Sequence, residues 1–290
     1  MADTCILGLD TGFVGLGYAK VAVLGIIQGI TELLPISSTA HMRLVPALLG
    51  WQDPGSAFSA AMQLAALAAV VSYFSGDVKE LVVNSLGALA RREFTNGYLR
   101  FSIWIVLATV PIGVAGLLLA KLLNTCNSPF RSIVVVGWAC IAMAFLLGVA
   151  EICARHRRSI EQTSLGEMLV IGFAQVDALI PGVSRSGSTL TAALALGFRR
   201  DEAARLSFLL GLPAIALAGL KEIWELHKIH LDAHGWAVLS VGLIIGSISA
   251  FLAIWGLMRF LERFSTWPFV VYRFALGIII VGGVAVGWFG

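Results

Sequence analysis

Residues 25–41 read GIIQGITELLPISSTAH, and they interrupt an apolar stretch that runs from residue 20 to residue 49. Both ends of that stretch are hydrophobic, but its middle carries Pro35 followed by the hydroxyl residues 37–39. Proline ends or kinks a helix, and a membrane span needs about 20 consecutive apolar residues. Each half is then too short to cross, and the stretch predicts a re-entrant helical hairpin.

A second polar break follows about half a chain later. Residues 172–189 read GFAQVDALIPGVSRSGST inside another apolar stretch. The glutamine, the proline and the first serine of this stretch lie 147, 146 and 147 residues after Gln28, Pro35 and Ser37. A turn at membrane depth survives only inside protein or beside a wet cavity, and paired broken helices mark a site between repeats. The sequence therefore predicts an inverted repeat whose two breaks meet in one pocket.

The composition places most of the chain in lipid. Hydrophobic residues make up 58% of the 290 residues and charged residues only 13%, about half the usual share of a soluble domain. This composition excludes a soluble fold and implies no nucleic-acid partner. We predict an all-α polytopic membrane protein, a single integral domain over residues 1–290, with six transmembrane helices and two re-entrant helical hairpins. The predicted spans are 56–74, 99–122, 132–153, 203–222, 236–258 and 268–289. The predicted repeats are 20–153, with hairpin 20–49, and 165–289, with hairpin 165–197.

The basic residues of the short loops predict the orientation, because Lys and Arg collect on the cytoplasmic side of a membrane. Eleven lie on one side and five on the other. The larger set, which we place in the cytoplasm, is Lys79, Arg91, Arg92, Arg100, Arg155, Arg157, Arg158, Arg199, Arg200, Arg259 and Arg263. The smaller set is Lys20, Lys121, Arg131, Lys221 and Lys228. Four more arginines, at positions 43, 185, 205 and 273, fall within or at the edges of apolar segments.

Charged residues at membrane depth are candidates for function, because each costs at least roughly 2.5 to 3.5 kcal/mol to insert. Glu32, His41, Arg185 and Arg273 meet this description. Gln28 lies four residues before Glu32, so both side chains share one helical face and could reach one ion or one water. The hydroxyl residues that follow, 37–39, lie in the turn of the same hairpin.

The second break has the composition of an anion-binding turn. It combines glycines, the hydroxyls of Ser184, Ser186 and Thr189, the N-terminus of a helix and the guanidinium of Arg185. Helix N-termini bind phosphate through free N–H groups, and arginine holds two phosphate oxygens at once. A carboxylate, a hydroxyl or imidazole and an arginine-bearing cradle are the groups that phosphoryl transfer requires.

Structural roles compete with these functional ones. Thr39 and Ser188 could bond only to the backbone of their own turns. Glu32 and Arg185 could form an ion pair that merely joins the two hairpins, and Arg273 could extend to the membrane interface. The histidines at positions 227, 230 and 234 have a spacing seen in metal sites, but they are expected to lie in a solvated loop.

At these residues the chain resembles the undecaprenyl-diphosphate phosphatases, the bacitracin-resistance family of bacterial inner membranes. The likeness begins near Lys20 and covers nearly all that follows. The segments that carry it are Gln28–His41, Asp53–Phe58, Ala108–Pro111, Pro181–Thr189 and Phe269–Arg273. The resemblance implies dephosphorylation of a C55 isoprenoid diphosphate at the periplasmic face, which recycles the lipid carrier of peptidoglycan synthesis. It also implies bacitracin resistance and a divalent cation, Mg²⁺ or Ca²⁺.

The resemblance also implies the site residues. The catalytic residues would be Glu32, Ser38, His41 and Arg185, with either Ser38 or His41 as the nucleophile. The substrate-binding residues would be Gln28, Ser37, Thr39, Ser184, Ser186, Thr189 and Arg273. Glu32 and Gln28 would hold the cation.

Two positions depart from the family pattern or extend it. Gln28 stands where the family has Glu or Gln, so two carboxylates cannot act there. Asp177 stands at an apolar position and either supplies a carboxylate or pairs locally. Met1–Tyr18 has no assigned counterpart. The predicted partners are a polyprenyl diphosphate and the bacterial membrane, and a homo-oligomer stays open. The alternative function is a lipid-carrier flippase or secondary transporter, which the inverted repeat alone would also support.

Overall fold

A computed structural model of the chain describes residues 5–6, 9–119 and 132–287. Nearly all of them are helical. The helices are α1 Gly17–Leu33, α2 Ser38–Leu49, α3 Gly55–Ala61, α4 Gln63–Tyr73, α5 Ser75–Ala90, α6 Gly97–Leu118, α7 Ile133–Cys153, α8 Leu165–Ala174, α9 Arg185–Ala195, α10 Arg200–Lys228, α11 Ala233–Leu261 and α12 Trp267–Ala285. Short 3-10 helices cover Gly12–Leu16, Ile160–Gln162 and Gln175–Leu179. Cys5–Ile6 and Leu9–Asp10 form a two-residue antiparallel ladder.

Seven helical segments of the described chain are long and apolar enough to cross a membrane. They are Gly12–Leu33, Gly55–Tyr73, Gly97–Leu118, Ile133–Cys153, Arg200–Lys228, Ala233–Leu261 and Trp267–Ala285. The last six correspond to the six predicted spans and confirm an all-α polytopic membrane protein. The predicted end at residue 122, together with Lys121 and Arg131, lies outside the described residues.

The remaining segment corrects one expectation. Gly12–Leu33 contains the first half of the first predicted hairpin, and its 22 residues are enough to cross a membrane. The prediction that this half is too short was wrong, because the 3-10 turn at Gly12–Leu16 continues directly into α1. The half that follows the break, Ser38–Leu49, has only 12 residues.

Each polar break ends in a serine with positive φ that caps the helix after it. Ser37 has φ of 71° and its side chain accepts a hydrogen bond from the N–H of Ala40, which begins α2. Ser184 has φ of 70° and caps α9 in the same way through Gly187. Both serines are N-caps, which satisfy helix N–H groups that have no partner within the helix. Since the two serines are 147 residues apart, the structure supports a duplicated hairpin. The inverted arrangement of the repeats stays a prediction.

Small residues bring the hairpins close to the spanning helices. A Cβ on Gly29 of α1 would lie only 2.4 Å from the carbonyl oxygen of Gly246 in α11. In the second break, a Cβ on Gly182 would lie 2.6 Å from the carbonyl oxygen of Val136 in α7. Helices in membranes associate through such close backbone approaches. Each hairpin is therefore packed against a different long helix.

Ion pairs join different segments on the side of the protein that carries most of the basic residues. Arg205, one of the four arginines in apolar segments, forms a two-pronged pair with Asp77 at 2.7 and 3.0 Å. Asp77 lies in α5, a helix that the hydropathy pattern did not predict, because its first turns are too polar for a span. Arg158 bonds to Glu167 at the start of α8, and this charged hydrogen bond lowers the pKa of Glu167 to about 2.

The opposite side is closed by the N-terminal segment. The backbone N–H of Phe13 donates to the carbonyl of Pro54 at 2.8 Å. Its ring, which is fully buried, lies 5.6 Å from the ring of Phe58. Gly55 has φ of 89°, and a Cβ there would meet the carbonyl oxygen of Asp10 at 2.1 Å. Asp10 and Phe13, which lie in the part of the chain without an assigned counterpart in the family, thus pack on the loop that precedes α3.

Candidate active site

A cavity of about 220 Å³ lies between the first hairpin and residues 53–63, and it reaches the second break at Pro181. Most of its polar lining comes from the first hairpin, and Pro181 lines it from the second. It extends to Asp53, an exposed residue of the loop before α3. The residues of the first hairpin that line it are Gln28, Glu32, Ser38, Thr39, Met42 and Arg43. Ser56, Ser59 and Gln63 of α3 and α4 also line it, and the sequence patterns did not predict these three.

A larger groove of about 730 Å³ lies between α1 and α11, but its lining is almost wholly apolar. Ile26, Ile30 and Leu34 line it from α1. These three side chains lie on the face of α1 opposite Gln28 and Glu32. The groove therefore offers no group for phosphate chemistry, and the smaller polar cavity is the candidate site.

Glu32 is the centre of the polar cavity. Its Oε2 atom accepts hydrogen bonds from Gln28 Nε2 at 3.0 Å and from Ser38 Oγ at 2.7 Å. Its Oε1 atom accepts from Arg185 Nη2 at 3.4 Å. The side chain of Glu32 is 8% exposed and that of Arg185 is 12% exposed. A carboxylate and a guanidinium that are 153 residues apart in the sequence, one from each hairpin, thus meet in one slightly exposed site, where each offsets the charge of the other.

The hydroxyl of Ser38 lies beside a carboxylate. It is the first residue of α2, so its hydroxyl lies next to the N-terminus of that helix. The hydroxyl donates to Glu32, and it also lines the cavity. A hydroxyl within hydrogen-bond reach of a carboxylate is the arrangement by which enzymes activate a serine.

His41 is occupied by two other partners. Its Nδ1 lies 2.7 Å from the carbonyl oxygen of Ser37, and because a carbonyl only accepts, Nδ1 carries a proton. Its Nε2 lies 2.6 Å from the hydroxyl of Tyr272, which donates to it when the imidazole is neutral. Among the described residues, the His41 ring makes no hydrogen bond to Ser38 or Glu32, and His41 does not line the cavity. Tyr272 was quoted in the sequence comparison but was not predicted to take part in the site.

The hydroxyls of the second break hold the structure together. Ser186 donates to the carbonyl oxygens of Glu32 at 3.1 Å and Leu34 at 3.2 Å, which joins the two hairpins. Thr189 donates to the carbonyl of Arg185 at 2.8 Å and bonds to the hydroxyl of Ser207 in α10. The other serines of this segment are bonded locally, Ser184 as the N-cap and Ser188 to the carbonyl of Arg185.

Arg273 of α12 lies against both polar breaks. Its side chain is fully buried, so it does not extend to the membrane interface. Its Nη1 donates to the carbonyl of Pro35 at 3.2 Å. Its Nη2 donates to the carbonyls of Gly182 and Val183, both at 2.9 Å. The structure thus brings Arg273 to the two breaks. The sequence did not predict that its hydrogen bonds go to backbone carbonyls.

A divalent cation fits the oxygen atoms at Gln28 and Glu32. Gln28 Oε1 is buried and has no hydrogen-bond partner among the described residues. Within those residues there is no group of three or more His, Cys, Asp and Glu side chains that could hold a metal alone. Magnesium is commonly bound by one or two carboxylates, with substrate phosphates completing its shell. One carboxylate and one free amide oxygen would suit a cation that arrives with its substrate.

Two other predicted candidates do not join this site. Asp177 is exposed, and its side chain makes no hydrogen bond or ion pair with any residue in the described ranges. It therefore does not replace a carboxylate beside Gln28. The histidine run of the outer loop does not form a metal cluster within the described chain, and His234 lies 3.4 Å from the hydroxyl of Tyr18.

Comparison with known proteins identifies the family of the chain. The family described as bacitracin resistance protein BacA matches residues 21–279. The chain is 71% identical over 262 residues to a protein of Mesorhizobium japonicum named undecaprenyl-diphosphatase 2, covering 90% of this chain and 99% of that one. It is 46% identical over 269 residues to the undecaprenyl-diphosphatase of Synechococcus elongatus, covering 92% and 93%. It is 44% identical over 275 residues to that of Gloeobacter violaceus, covering 94% and 93%.

The family match covers all of the chain from α1 to α12 apart from its edges, and it includes both polar breaks and the tyrosine and arginine of α12. The relatives cover nine-tenths or more of the chain at identities well above those that show common descent. The chain therefore belongs to the bacitracin resistance protein BacA family.

Proposed function

We propose that the protein is a membrane phosphatase that hydrolyses undecaprenyl diphosphate to undecaprenyl phosphate and phosphate. The observation that carries this proposal is the hydrogen-bonded set of Ser38, Glu32 and Arg185, in which Ser38 and Glu32 line the cavity and Arg185 bonds to Glu32. It combines a hydroxyl nucleophile, a base and an anion-binding guanidinium. The names of the relatives support the same reaction and substrate.

The diphosphate head would enter the cavity while the prenyl chain stays in lipid. Arg185 and the N-termini of α2 and α9 would hold the phosphate oxygens, since helix N-termini and arginine both favour anions. Gln28 and Glu32 would hold a divalent cation, which when bound offsets phosphate charge. Phosphoryl transfer depends mainly on positioning and charge stabilisation, so these contacts supply most of the catalysis.

In the proposed reaction, Ser38 Oγ attacks the terminal phosphorus. A bond forms between that oxygen and phosphorus, the bond from phosphorus to the bridging oxygen breaks, and the Ser38 proton passes to Glu32. Prenyl monophosphate leaves, and Glu32 releases its proton to solvent. Water then attacks the phosphorus of the phosphoserine and Glu32 takes a proton from that water. The bond between phosphorus and Ser38 Oγ breaks, Glu32 returns the proton to Ser38 Oγ, and phosphate leaves.

His41 supports this reaction without being the nucleophile. Both ring nitrogens have partners, and one of those partners is the backbone of the N-cap Ser37. His41 is thus placed to fix the turn that presents Ser38. A histidine nucleophile would first have to give up its bond to Tyr272 and rotate toward the cavity.

The site would face the periplasm of a bacterial inner membrane. The cavity extends toward the loop at Asp53, on the side opposite the eleven basic residues assigned to the cytoplasm. In that orientation the enzyme would regenerate the lipid carrier of peptidoglycan synthesis after the carrier is released outside. Hydrolysis of the diphosphate form would account for the bacitracin resistance that the family description names.

The test is phosphate release from purified, detergent-solubilised protein and C55 diphosphate, with and without EDTA. We expect cation-dependent release by the wild type, near-complete loss in Ser38→Ala and Glu32→Gln, and a smaller loss in His41→Ala. A phosphoenzyme that is trapped at low pH in the wild type and absent in Ser38→Ala would support the serine route. Near-normal turnover by Ser38→Ala would exclude it.

Transport of the lipid carrier is the second candidate function. The paired breaks with matching serine caps are the observation in its favour, because secondary transporters use broken helices at a repeat interface. Transport requires a membrane with two sides, whereas hydrolysis does not. Detergent-solubilised protein that binds the diphosphate but releases no phosphate would favour transport.

A further inference from the structure

The two breaks create a hydrogen-bonding problem that neither hairpin solves alone. A break in a helix leaves carbonyl groups that lipid cannot satisfy. Three of these carbonyls, at Pro35, Gly182 and Val183, accept hydrogen bonds from one guanidinium, that of Arg273. Arg273 belongs to α12, which is part of neither hairpin. One side chain from a third element therefore joins the two breaks.

The positions of these carbonyls relate Arg273 to the proposed chemistry. Pro35 lies three residues before Ser38, and Val183 lies two residues before Arg185. The neighbouring residue, Tyr272, bonds to His41, so α12 also holds the first hairpin at a second point. A shift of Arg273 would thus change the separation between the nucleophile and the anion-binding guanidinium.

The sequence leaves space for this arginine at a glycine. A Cβ added to Gly187 in α9 would lie 2.8 Å from Arg273 Nη1, well inside van der Waals contact. The proposed reaction does not use Gly187, and its backbone N–H donates to the hydroxyl of the N-cap Ser184. Any larger residue at position 187 would push the guanidinium away from the two turns.

The charge of Arg273 is not offset by a carboxylate. None of the ion pairs between described residues includes it, and the nearest site carboxylate, Glu32, pairs with Arg185. Backbone carbonyl dipoles surround the guanidinium instead. A buried charge without a counter-ion is costly. Here the charge lies against the turns that precede Ser38 and Arg185, where it would raise the positive potential felt by phosphate.

We propose that Arg273 is a positioning residue that fixes the two breaks relative to each other and adds positive potential near the phosphate site, without touching the substrate. This inference rests on the proposed phosphatase function for its kinetic consequences. Its structural part, the coupling of the two hairpins, stands independently of the reaction.

The kinetic test compares Arg273→Lys, Arg273→Gln and Gly187→Ala with the wild type. We expect Arg273→Gln to lower kcat on the order of 100-fold, as a 1 Å misplacement can, with KM changed less than about threefold. Arg273→Lys should recover only part of kcat, because an ammonium cannot reach three carbonyls in a planar fork. Gly187→Ala should lower kcat in the same way while leaving every side chain of the reaction intact.

The matched control is Arg259→Gln, which removes an arginine that lies over the Trp255 ring at 4.4 Å, away from the cavity. It should leave kcat and KM unchanged. A large rise in KM with unchanged kcat in Arg273→Gln would overturn the proposal, because that result indicates direct substrate contact. Normal kinetics in both Arg273→Gln and Gly187→Ala would overturn it as well.

A second measurement separates this proposal from the proposed function. Spin labels at Ala47→Cys and Ala195→Cys, both exposed and on different hairpins, report the distance between them in a background without other cysteines. Arg273→Gln should broaden that distance distribution and Arg259→Gln should not. Broadening in a protein whose wild type releases no phosphate would keep the coupling and reject the phosphatase. An unchanged distribution in a protein that remains an active phosphatase would reject the coupling.

Discussion

The two hairpins share a backbone design but carry different chemistry. At an offset of 147 residues, the cap Ser37 corresponds to Ser184, and the left-handed Gly50 that ends α2 corresponds to Gly197. At the same offset, however, Glu32 of the first hairpin corresponds to a leucine, and Ser38 corresponds to an arginine. The scaffold is duplicated, whereas the carboxylate of Glu32 and the hydroxyl of Ser38 lie on one copy and the guanidinium of Arg185 lies on the other.

The glutamines show what this division changes. Gln28 donates to Glu32 and keeps a free oxygen beside the cavity. Gln175 occupies the equivalent position, but Leu179 stands where the carboxylate would be. Gln175 is fully buried, and neither atom of its amide has a partner in the described part of the chain. A polar residue can thus remain in the duplicated position after its chemical partner has been replaced.

The largest expected effect comes from removing the charged or nucleophilic residue on either side of the division. Ser38→Ala and Arg185→Ala should each lower kcat/KM by about 10³-fold or more, because one removes the nucleophile and the other the anion-binding charge. Phosphate release at saturating and limiting substrate is the measurement. The matched control is Ser188→Ala. Among the described residues, the Ser188 hydroxyl bonds only to the carbonyl oxygen of Arg185. Its loss of activity to the same degree would contradict the division of roles.

A smaller effect is expected from the glutamine pair. Gln28→Leu should weaken the activation by cation and leave stability nearly unchanged. Gln175→Leu should leave activity intact and raise the free energy of unfolding by about 1 to 3 kcal/mol, since it removes a buried amide without partners. Cation titrations of activity and thermal unfolding in detergent measure the two quantities. Loss of activity in Gln175→Leu would show that the second glutamine serves the site.

The caps compare the hairpins at the level of stability. Ser184→Ala removes the hydroxyl that accepts from Gly187, and a lost N-cap costs about 1 kcal/mol. Ser37→Ala should cost a similar amount, because the two caps share their geometry. Thermal unfolding of both variants measures this. A loss of stability in only one of them would indicate that the duplicated caps differ in strength.

Hydropathy and break positions predicted much of this fold. Six spans and both breaks follow from apolar length, Pro35 and Pro181, because lipid restricts a chain to helices and forces any break into protein. The meeting of Glu32 with Arg185 followed from the same restriction. The length of the first helix did not, because a 3-10 turn at Gly12–Leu16 has no sequence signal distinct from a loop.

The partners of individual side chains were less predictable. Thr189, Ser184 and Ser186 have the composition of an anion cradle, yet their hydroxyls bond to backbone and to Ser207. Sequence gives the residue types in a turn, but not which way each hydroxyl points once the turn packs against other helices. The sequence likewise did not predict the bond between the Tyr272 hydroxyl and His41, because the two residues are 231 positions apart.

The smallest expected effect concerns the starts of the two hairpins. Helix α8 begins with a capping box in which Ser164 and Glu167 bond to each other's backbone, whereas α1 begins without a side-chain cap. Because the bond to Arg158 lowers the pKa of Glu167 to about 2, its ionised form contributes stability above its unfolded pKa near 4.5, and that contribution is lost as pH falls toward 2.

Glu167→Gln should therefore reduce the free energy of unfolding by less than about 1 kcal/mol at pH 7, because the pair is partly exposed. The difference from wild type should shrink as pH falls from 4.5 toward 2 and should be absent from activity, because Glu167 lies at the opposite end of α8 from the break. Thermal unfolding across this pH range measures it. A difference that grows on acidification would mean that Glu167 is protonated in the folded protein, and the two hairpins would then differ at their starts in sequence alone.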